Sequence, residues 1–140
     1  MKPVHILLVE DNEGDILLTL DAFEEGKIAN HTTVIKDGKS AIDFLEDRAR
    51  TEKLPDLIML DVNLPKKNGH EVLRYIKTSD TLKSLPVIML TTSSSDRDIK
   101  LSYDNYANCY ITKPVEAAEF INAVNKIGEF WINIAQLPKH

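Results

Sequence analysis

A single cysteine, Cys109, leaves the chain without an internal disulfide, which excludes a stapled secreted module and suits a reducing compartment. Long apolar runs are missing. The longest, such as residues 6–9, fall far short of the roughly 20 residues that cross a bilayer, so no membrane partner is expected. No basic stretch followed by an apolar segment opens the sequence, so no secretory leader is expected either. Positive charge is in deficit: 17 basic residues face 22 acidic ones, and the net charge of −5 argues against a general grip on nucleic acid. Repeats, low-complexity tracts and linkers are absent too. The 140 residues are therefore expected to form one cytoplasmic globular domain over 1–140.

Apolar residues come in two alternating styles. Short continuous runs at 5–9, 57–60 and 87–90 suit strands buried on both sides of a parallel sheet. Residues 32–35 and 109–112 are richer in β-branched side chains and are expected nearer the edges. Between them run helical spacings: Ile16, Leu17, Leu20 and Phe23; Ala41, Ile42 and Leu45; Val72, Leu73 and Ile76; Ile99 and Tyr103; and, from about 116, Phe120, Ala123, Val124, Ile127 and Trp131. Pro55-Asp56 and Pro86 stand just before strands, Asp37-Gly38 turns into the second helix, and Asp96 suits the cap of the fourth. Strand and helix thus alternate five times. That pattern predicts an α/β fold, a doubly wound five-stranded parallel sheet with helices on both faces.

In such sheets ligands collect at the carboxyl ends of the strands. The first strand delivers Glu10 and Asp11 there, the third Asp61 followed by Asn63, the fourth Thr91 and Thr92, and the fifth Lys113 and Pro114. Crowded carboxylates repel one another unless a partner neutralises them, and a hard divalent cation such as Mg²⁺ does so while keeping positions open for phosphoryl oxygens. Lys113 adds a compact positive charge and Thr91 a hydroxyl donor. These are parts for handling a phosphoryl group.

In sequence order, Ile6-Leu-Leu-Val-Glu-Asp-Asn-Glu, Leu60-Asp-Val-Asn-Leu-Pro, Gly69, Leu85-Pro-Val-Ile-Met-Leu-Thr-Thr and Tyr110-Ile-Thr-Lys-Pro resemble the response-regulator receiver domain of two-component signalling. The resemblance implies a flavodoxin-like topology with strand order 2-1-3-4-5; the five helical patterns complete it, and because the last strand and helix use the chain to its end, no output domain is expected. It makes Asp61 the phosphorylated aspartate. It places Mg²⁺ on Asp11, on Glu10 through water, on an Asp61 oxygen and on the Asn63 carbonyl. It pairs Lys113 with Asp61 and then with the phosphoryl group, gives Thr91 a phosphoryl oxygen to bind, and makes Tyr110 the aromatic switch that follows Thr91. Pro114 falls where the family usually has a cis peptide. Asn108-Cys-Tyr-Ile-Thr-Lys, Leu64-Pro-Lys-Lys-Asn-Gly and the tail residues Phe130, Trp131, Leu137 and Pro138 are similar to small receivers paired with bacterial phytochrome kinases, which implies a phytochrome-type sensor histidine kinase as partner.

Further expectations attach to the surfaces. Kinase docking is inherited as the first helix, around Ile16, Leu17 and Leu20, with the Lys113-Pro114 loop. Tyr103, Tyr106, Phe120 and Trp131 are candidates for a homodimer face. The four histidines lack metal-ligand spacing, and Cys109 reads as a small buried residue. Thr92 stands where many receivers carry alanine or glycine. Two rival chemistries use similar parts. A haloacid-dehalogenase-type phosphohydrolase would also use Asp61 as nucleophile, but it needs a second acid where Asn63 stands. A flavin carrier would need a phosphate-binding loop where Glu10 and Asp11 stand.

Overall fold

In this computed structural model, residues 4–27, 30–92, 100 and 106–127 are described. Strands β1 (Val4–Val9), β2 (Asn30–Ile35), β3 (Leu57–Asp61), β4 (Val87–Thr91) and β5 (Cys109–Thr112) alternate with helices α1 (Glu13–Glu25), α2 (Gly38–Thr51), α3 (Gly69–Thr78) and α4 (Ala117–Ile127). The expected helix around Ile99 and Tyr103, with Asp96 as its cap, lies outside the described residues.

All strands pair in parallel, in the order β2-β1-β3-β4-β5. The three continuous apolar runs occupy the middle of the sheet, where both faces are covered, and β3 and β4 are buried at every position. The β-branched strands take the two edges. Register fixes the carboxyl end as one rim: Val9 stands opposite Leu60, Asp61 opposite Leu90 and Thr91 opposite Thr112.

Each face of the sheet carries its own core. On one side Ile6, Leu8, Met59, Ile88, Leu90 and Ile111 pack against Ile16, Ala22 and Phe23 of α1 and Phe120, Ala123 and Val124 of α4. On the other, Leu7, Val9, Ile58, Leu60 and Met89 pack against Ala41 and Leu45 of α2 and Val72, Leu73 and Ile76 of α3. Burying each such aliphatic side chain stabilises the fold by about 1.5–3 kcal/mol, so the alternation of side chains along each strand decides the layering.

Three expectations about apolar residues need correction. Leu17 does not share the buried face of α1; it is 62% exposed, and Thr19 is buried instead, with its hydroxyl donating to the Asp15 carbonyl at 2.7 Å. At 100° per residue, Leu17 sits one step off the stripe formed by Ile16, Leu20 and Phe23, and a satisfied threonine hydroxyl costs little to bury. Conversely Ile16, expected on a docking face, belongs to the core at 6% exposure. Phe120 cannot serve a dimer face either. It is 1% exposed and its ring lies 4.6 Å from that of Phe23, tilted by 43°, an aromatic contact across α1 and α4. Tyr106 is 76% exposed, while Tyr103 and Trp131 lie outside the described residues.

Side-chain caps start three helices close to the rim. Asn12 Oδ1 accepts the Asp15 N–H at 2.9 Å, and Asp37 Oδ1 accepts the Ser40 N–H at 2.7 Å. Asn68 and Glu71 form a reciprocal capping box at 3.0 and 3.3 Å. Each satisfies a backbone donor that the first turn leaves unpaired. The caps of α1 and α3 thus lie in the segments that follow Glu10 and Asp61 out of β1 and β3.

Candidate functional site

Glu10 immediately follows β1, Asp61 ends β3, Thr91 ends β4, and Lys113 immediately follows β5. The parallel pairing therefore brings residues up to 103 positions apart to one rim. Lys113 is positioned through its backbone, whose N–H donates to the Thr91 carbonyl at 2.7 Å, and the Lys113–Pro114 peptide is cis.

The Lys113 ammonium is the hub. Its Nζ donates to Asp61 Oδ2 at 3.0 Å, to Glu10 Oε1 and Oε2 at 3.2 and 3.0 Å, and to Asp15 Oδ2 at 2.9 Å. Exposures of 6% for the Lys113 side chain, 0% for Glu10 and 2% for Asp61 make these buried ion pairs, with less solvent screening than a surface pair has. Asp15 is more open, at 29%. Backbone donors help hold the acids in place: the Asn12 N–H donates to Glu10 Oε1 and the Asn63 N–H to Asp61 Oδ1, both at 3.1 Å.

Carboxylate oxygens of Glu10, Asp11 and Asp61 all lie within 4.8 Å of one another. Burial, reinforced by the neighbouring Asp61, pushes the Glu10 carboxyl up to about 7, against the opposing pull of Lys113 and the Asn12 N–H. For Lys113, burial would push the ammonium down, but its bonds to Asp15, Glu10 and Asp61 together hold it well above the ordinary lysine range. A trio of convergent carboxylates with one member poised to take up a proton is short of positive charge. Its donors are all hard oxygens, which suits Mg²⁺ or a similar divalent cation. The residues present fit such an ion.

Thr91 is 3% exposed, and Tyr110 is half-buried against the core shared with α2 and α3. Because side chains alternate along strands, Thr91 and Tyr110 address that side of the sheet, while Asp61 and Lys113 address the α1 side. Asn63 and Thr92 are exposed.

The residue that sequence reasoning missed is Asp15. As an acid in the first turn of a helix it reads as a favourable partner for the helix dipole. Only the direction in which α1 leaves β1 reveals that its carboxylate turns to Lys113. A weaker signal was present: Asn12 is a good cap, and a cap at that position puts residue 15 in the first turn, next to the rim.

The family model for the response regulator receiver domain matches residues 6–125. Probable methanogenesis regulatory protein FilR2 from Methanothrix harundinacea is 39% identical over 137 residues, covering 97% of this chain and 88% of that protein. Response regulator Rcp1 from Synechocystis sp. is 39% identical over 138 residues, covering 97% and 94%. A Mn²⁺-bound form of Rcp1 has been solved and superposes with a TM-score of 0.73 at 40% identity, covering 92% and 94%. The bacteriophytochrome response regulator RtBRR superposes with a TM-score of 0.83 at 44% identity, over 93% of this chain and 81% of that one. No described helix is long and apolar enough to cross a membrane. The phosphohydrolase alternative finds no support, since the position two residues after Asp61 offers an exposed asparagine that cannot exchange protons.

Proposed function

The chain belongs to the response regulator receiver family, and from that premise we propose that it takes a phosphoryl group from a sensor histidine kinase onto Asp61 in a Mg²⁺-dependent reaction. The observation that carries this reading is the environment of Asp61: a buried carboxylate, bonded to the Lys113 ammonium at 3.0 Å and grouped with Glu10 and Asp11. An Asp61 oxygen attacks the phosphorus of a phosphohistidine. The P–O bond forms as the P–N bond breaks, and the leaving imidazole takes up a proton. Glu10, Asp11, Asp61 and the Asn63 carbonyl are the residues that would hold Mg²⁺. When bound, the ion neutralises charge developing on the phosphoryl oxygens. Lys113 meets the same charge from the other side, and the Asn63 N–H on Asp61 Oδ1 keeps the carboxylate oriented for attack.

The product adds charge and acceptor oxygens at the end of β3. Thr91, at the end of the neighbouring strand, offers a hydroxyl for them, and Tyr110 lies on the same side of the sheet as Thr91. Movement of Thr91 toward the phosphoryl group frees space for the Tyr110 ring, which transmits the change to the surface of β5, α4 and the helix expected around Ile99 and Tyr103. Slow self-dephosphorylation resets the switch. The chain therefore acts as a phosphoacceptor and not as a turnover enzyme. We assign the partner as a phytochrome-type kinase because proteins named as bacteriophytochrome or phytochrome response regulators share its fold and about two fifths of its residues.

Incubation with acetyl phosphate, with and without Mg²⁺, followed by intact mass tests the chemistry. One phosphoryl mass should accumulate only with the cation and should vanish in Asp61→Asn. Donor consumption without a modified chain would overturn the reading. Phosphotransfer from a purified bacteriophytochrome and from an unrelated histidine kinase tests the pairing, and equal rates from both would remove it.

A further inference from the structure

Three carboxylates bond one ammonium at the rim, a fourth converges with two of them, and they are not equivalent. Glu10, Asp11 and Asp61 converge on a common point, whereas Asp15 bonds Lys113 from the first turn of α1. Among the described residues, Asp15 is the one carboxylate partner of Lys113 outside the convergent trio. It is also the most solvated of the three partners, at 29% exposure against 0% and 2%. Its backbone is held firmly: its N–H donates to Asn12 Oδ1 at 2.9 Å and its carbonyl accepts from Thr19 Oγ1 at 2.7 Å.

We propose that Asp15 is a positioning residue for Lys113, which draws the ammonium off Glu10 and Asp61 and so makes the acidic trio available to a divalent cation. The inference rests on the reading of the trio as a Mg²⁺ site. A lysine bonded to Glu10 and Asp61 competes with any cation for the same carboxylates, and the like charges of ammonium and cation repel. The Lys113 backbone stays where Thr91 holds it, so the ammonium can shift only by rotation of its own side chain. Asp15 Oδ2, already 2.9 Å from Nζ, is a partner it keeps throughout. Without that partner the ammonium has only Glu10 and Asp61, and it sits on them more tightly.

Calorimetric titration of Mg²⁺ into the full chain tests this without phosphorylation. Asp15→Asn and Asp15→Ala, each with unchanged circular dichroism, should bind Mg²⁺ about fivefold more weakly, the size of a partly exposed ion pair. The same substitutions in a Lys113→Met background should change affinity less than about twofold, because the competing ammonium is gone. Unchanged affinity in the single variants overturns the proposal. So does an equal loss in both backgrounds, which would mean that Asp15 attracts the cation by its own charge and not through Lys113. Failure of the functional reading registers separately, as no phosphoryl mass on the wild-type chain with acetyl phosphate, whereas failure of this inference leaves that uptake intact.

Discussion

Adding one methyl group at Gly69 should damage both the stability and the chemistry of this protein. A Cβ at that position would stand 2.1 Å from the Asp61 carbonyl oxygen, 2.8 Å from Val62 Cα and 2.9 Å from the Asp61 carbonyl carbon. Contacts between carbon and carbonyl oxygen settle at about 3.3 Å or more, so helix and strand end must separate by about 1 Å. The glycine is demanded by space, because the start of α3 presses on the segment that carries the acceptor. Local fraying cannot relieve the clash, since the Gly69 N–H donates to the Val62 carbonyl at 2.9 Å and the Asn68–Glu71 box holds the first turn. Alanine gains about 1 kcal/mol in helix propensity, but overpacking against backbone costs about 1–3 kcal/mol or more. We take the upper part of that range and expect a net loss of about 2 kcal/mol. For a chain of this size that corresponds to a fall of roughly 6 °C in Tm.

The kinetic effect should be larger than the thermodynamic one. A nucleophile misplaced by about 1 Å can lose on the order of 100-fold in rate. Gly69→Ala should therefore take up phosphoryl groups from acetyl phosphate at least about tenfold more slowly at a temperature where it remains folded. Gly14→Ala is the control, because the nearest atom to its Cβ is the Asn12 side-chain oxygen at 3.3 Å, and the methyl gains helix propensity. Its stability should stay within about 0.5 kcal/mol of wild type. Urea denaturation followed by circular dichroism, together with intact-mass kinetics, gives both quantities. A Gly69→Ala chain with wild-type midpoint and wild-type uptake would refute the argument that α3 locates Asp61 by contact.

Phe120→Ala should cost about 3–5 kcal/mol in urea denaturation, because it empties the core between α1 and α4, and a loss below about 1 kcal/mol would place the ring at a surface. Burial foremost, with His31 and Arg48, lowers the His5 pKa from its ordinary 6.5 against the opposing effect of Asp56, so the unfolded chain binds this proton more readily than the folded one. Its contribution is therefore full above pH 6.5 and is lost as pH falls from there through the lower folded value; His5→Gln should flatten that part of the stability profile, and an identical slope in the variant counts against it. Thr92, exposed at the end of β4, is expected to hinder water approaching phosphorylated Asp61. Thr92→Ala should accordingly shorten the lifetime of the phosphorylated form in timed mass spectra, and an unchanged decay would remove the idea.

The layers were readable from sequence because burial leaves a periodic trace. Residues 57–60 and 87–90 read as central strands because apolar side chains on both faces are tolerated only where both faces are covered. The edges were readable for the complementary reason. What periodicity did not settle was which apolar residue of a helix faces inward when three lie in succession. Ile16, Leu17 and Leu18 are chemically alike, and the last two, at 62% and 49% exposure, lie off the stripe of Ile16, Leu20 and Phe23 that packs on the sheet. Phe120 was assigned to a surface by chemical type alone, yet it stands on the stripe shared with Ala123 and Val124, and that stripe buries it.

The site divides along a similar line. Glu10, Asp61, Thr91 and Lys113 were legible because parallel strands deliver their ends to a common rim, so order along the chain is enough to predict proximity. Asp15 was not legible, because its contact with Lys113 spans 98 residues and depends on the direction in which a helix leaves the sheet. The consequence reaches the electrostatics. With Glu10 and Asp61 as its only partners, Lys113 would read as the counter-ion of the acceptor, and both carboxylates it holds would belong to the acidic trio. Adding Asp15 makes the ammonium a shared group with one partner inside the α1 turn. A rim that offers the same carboxylates to a lysine and to a dication needs such an alternative, because the two cations repel when both are drawn to them.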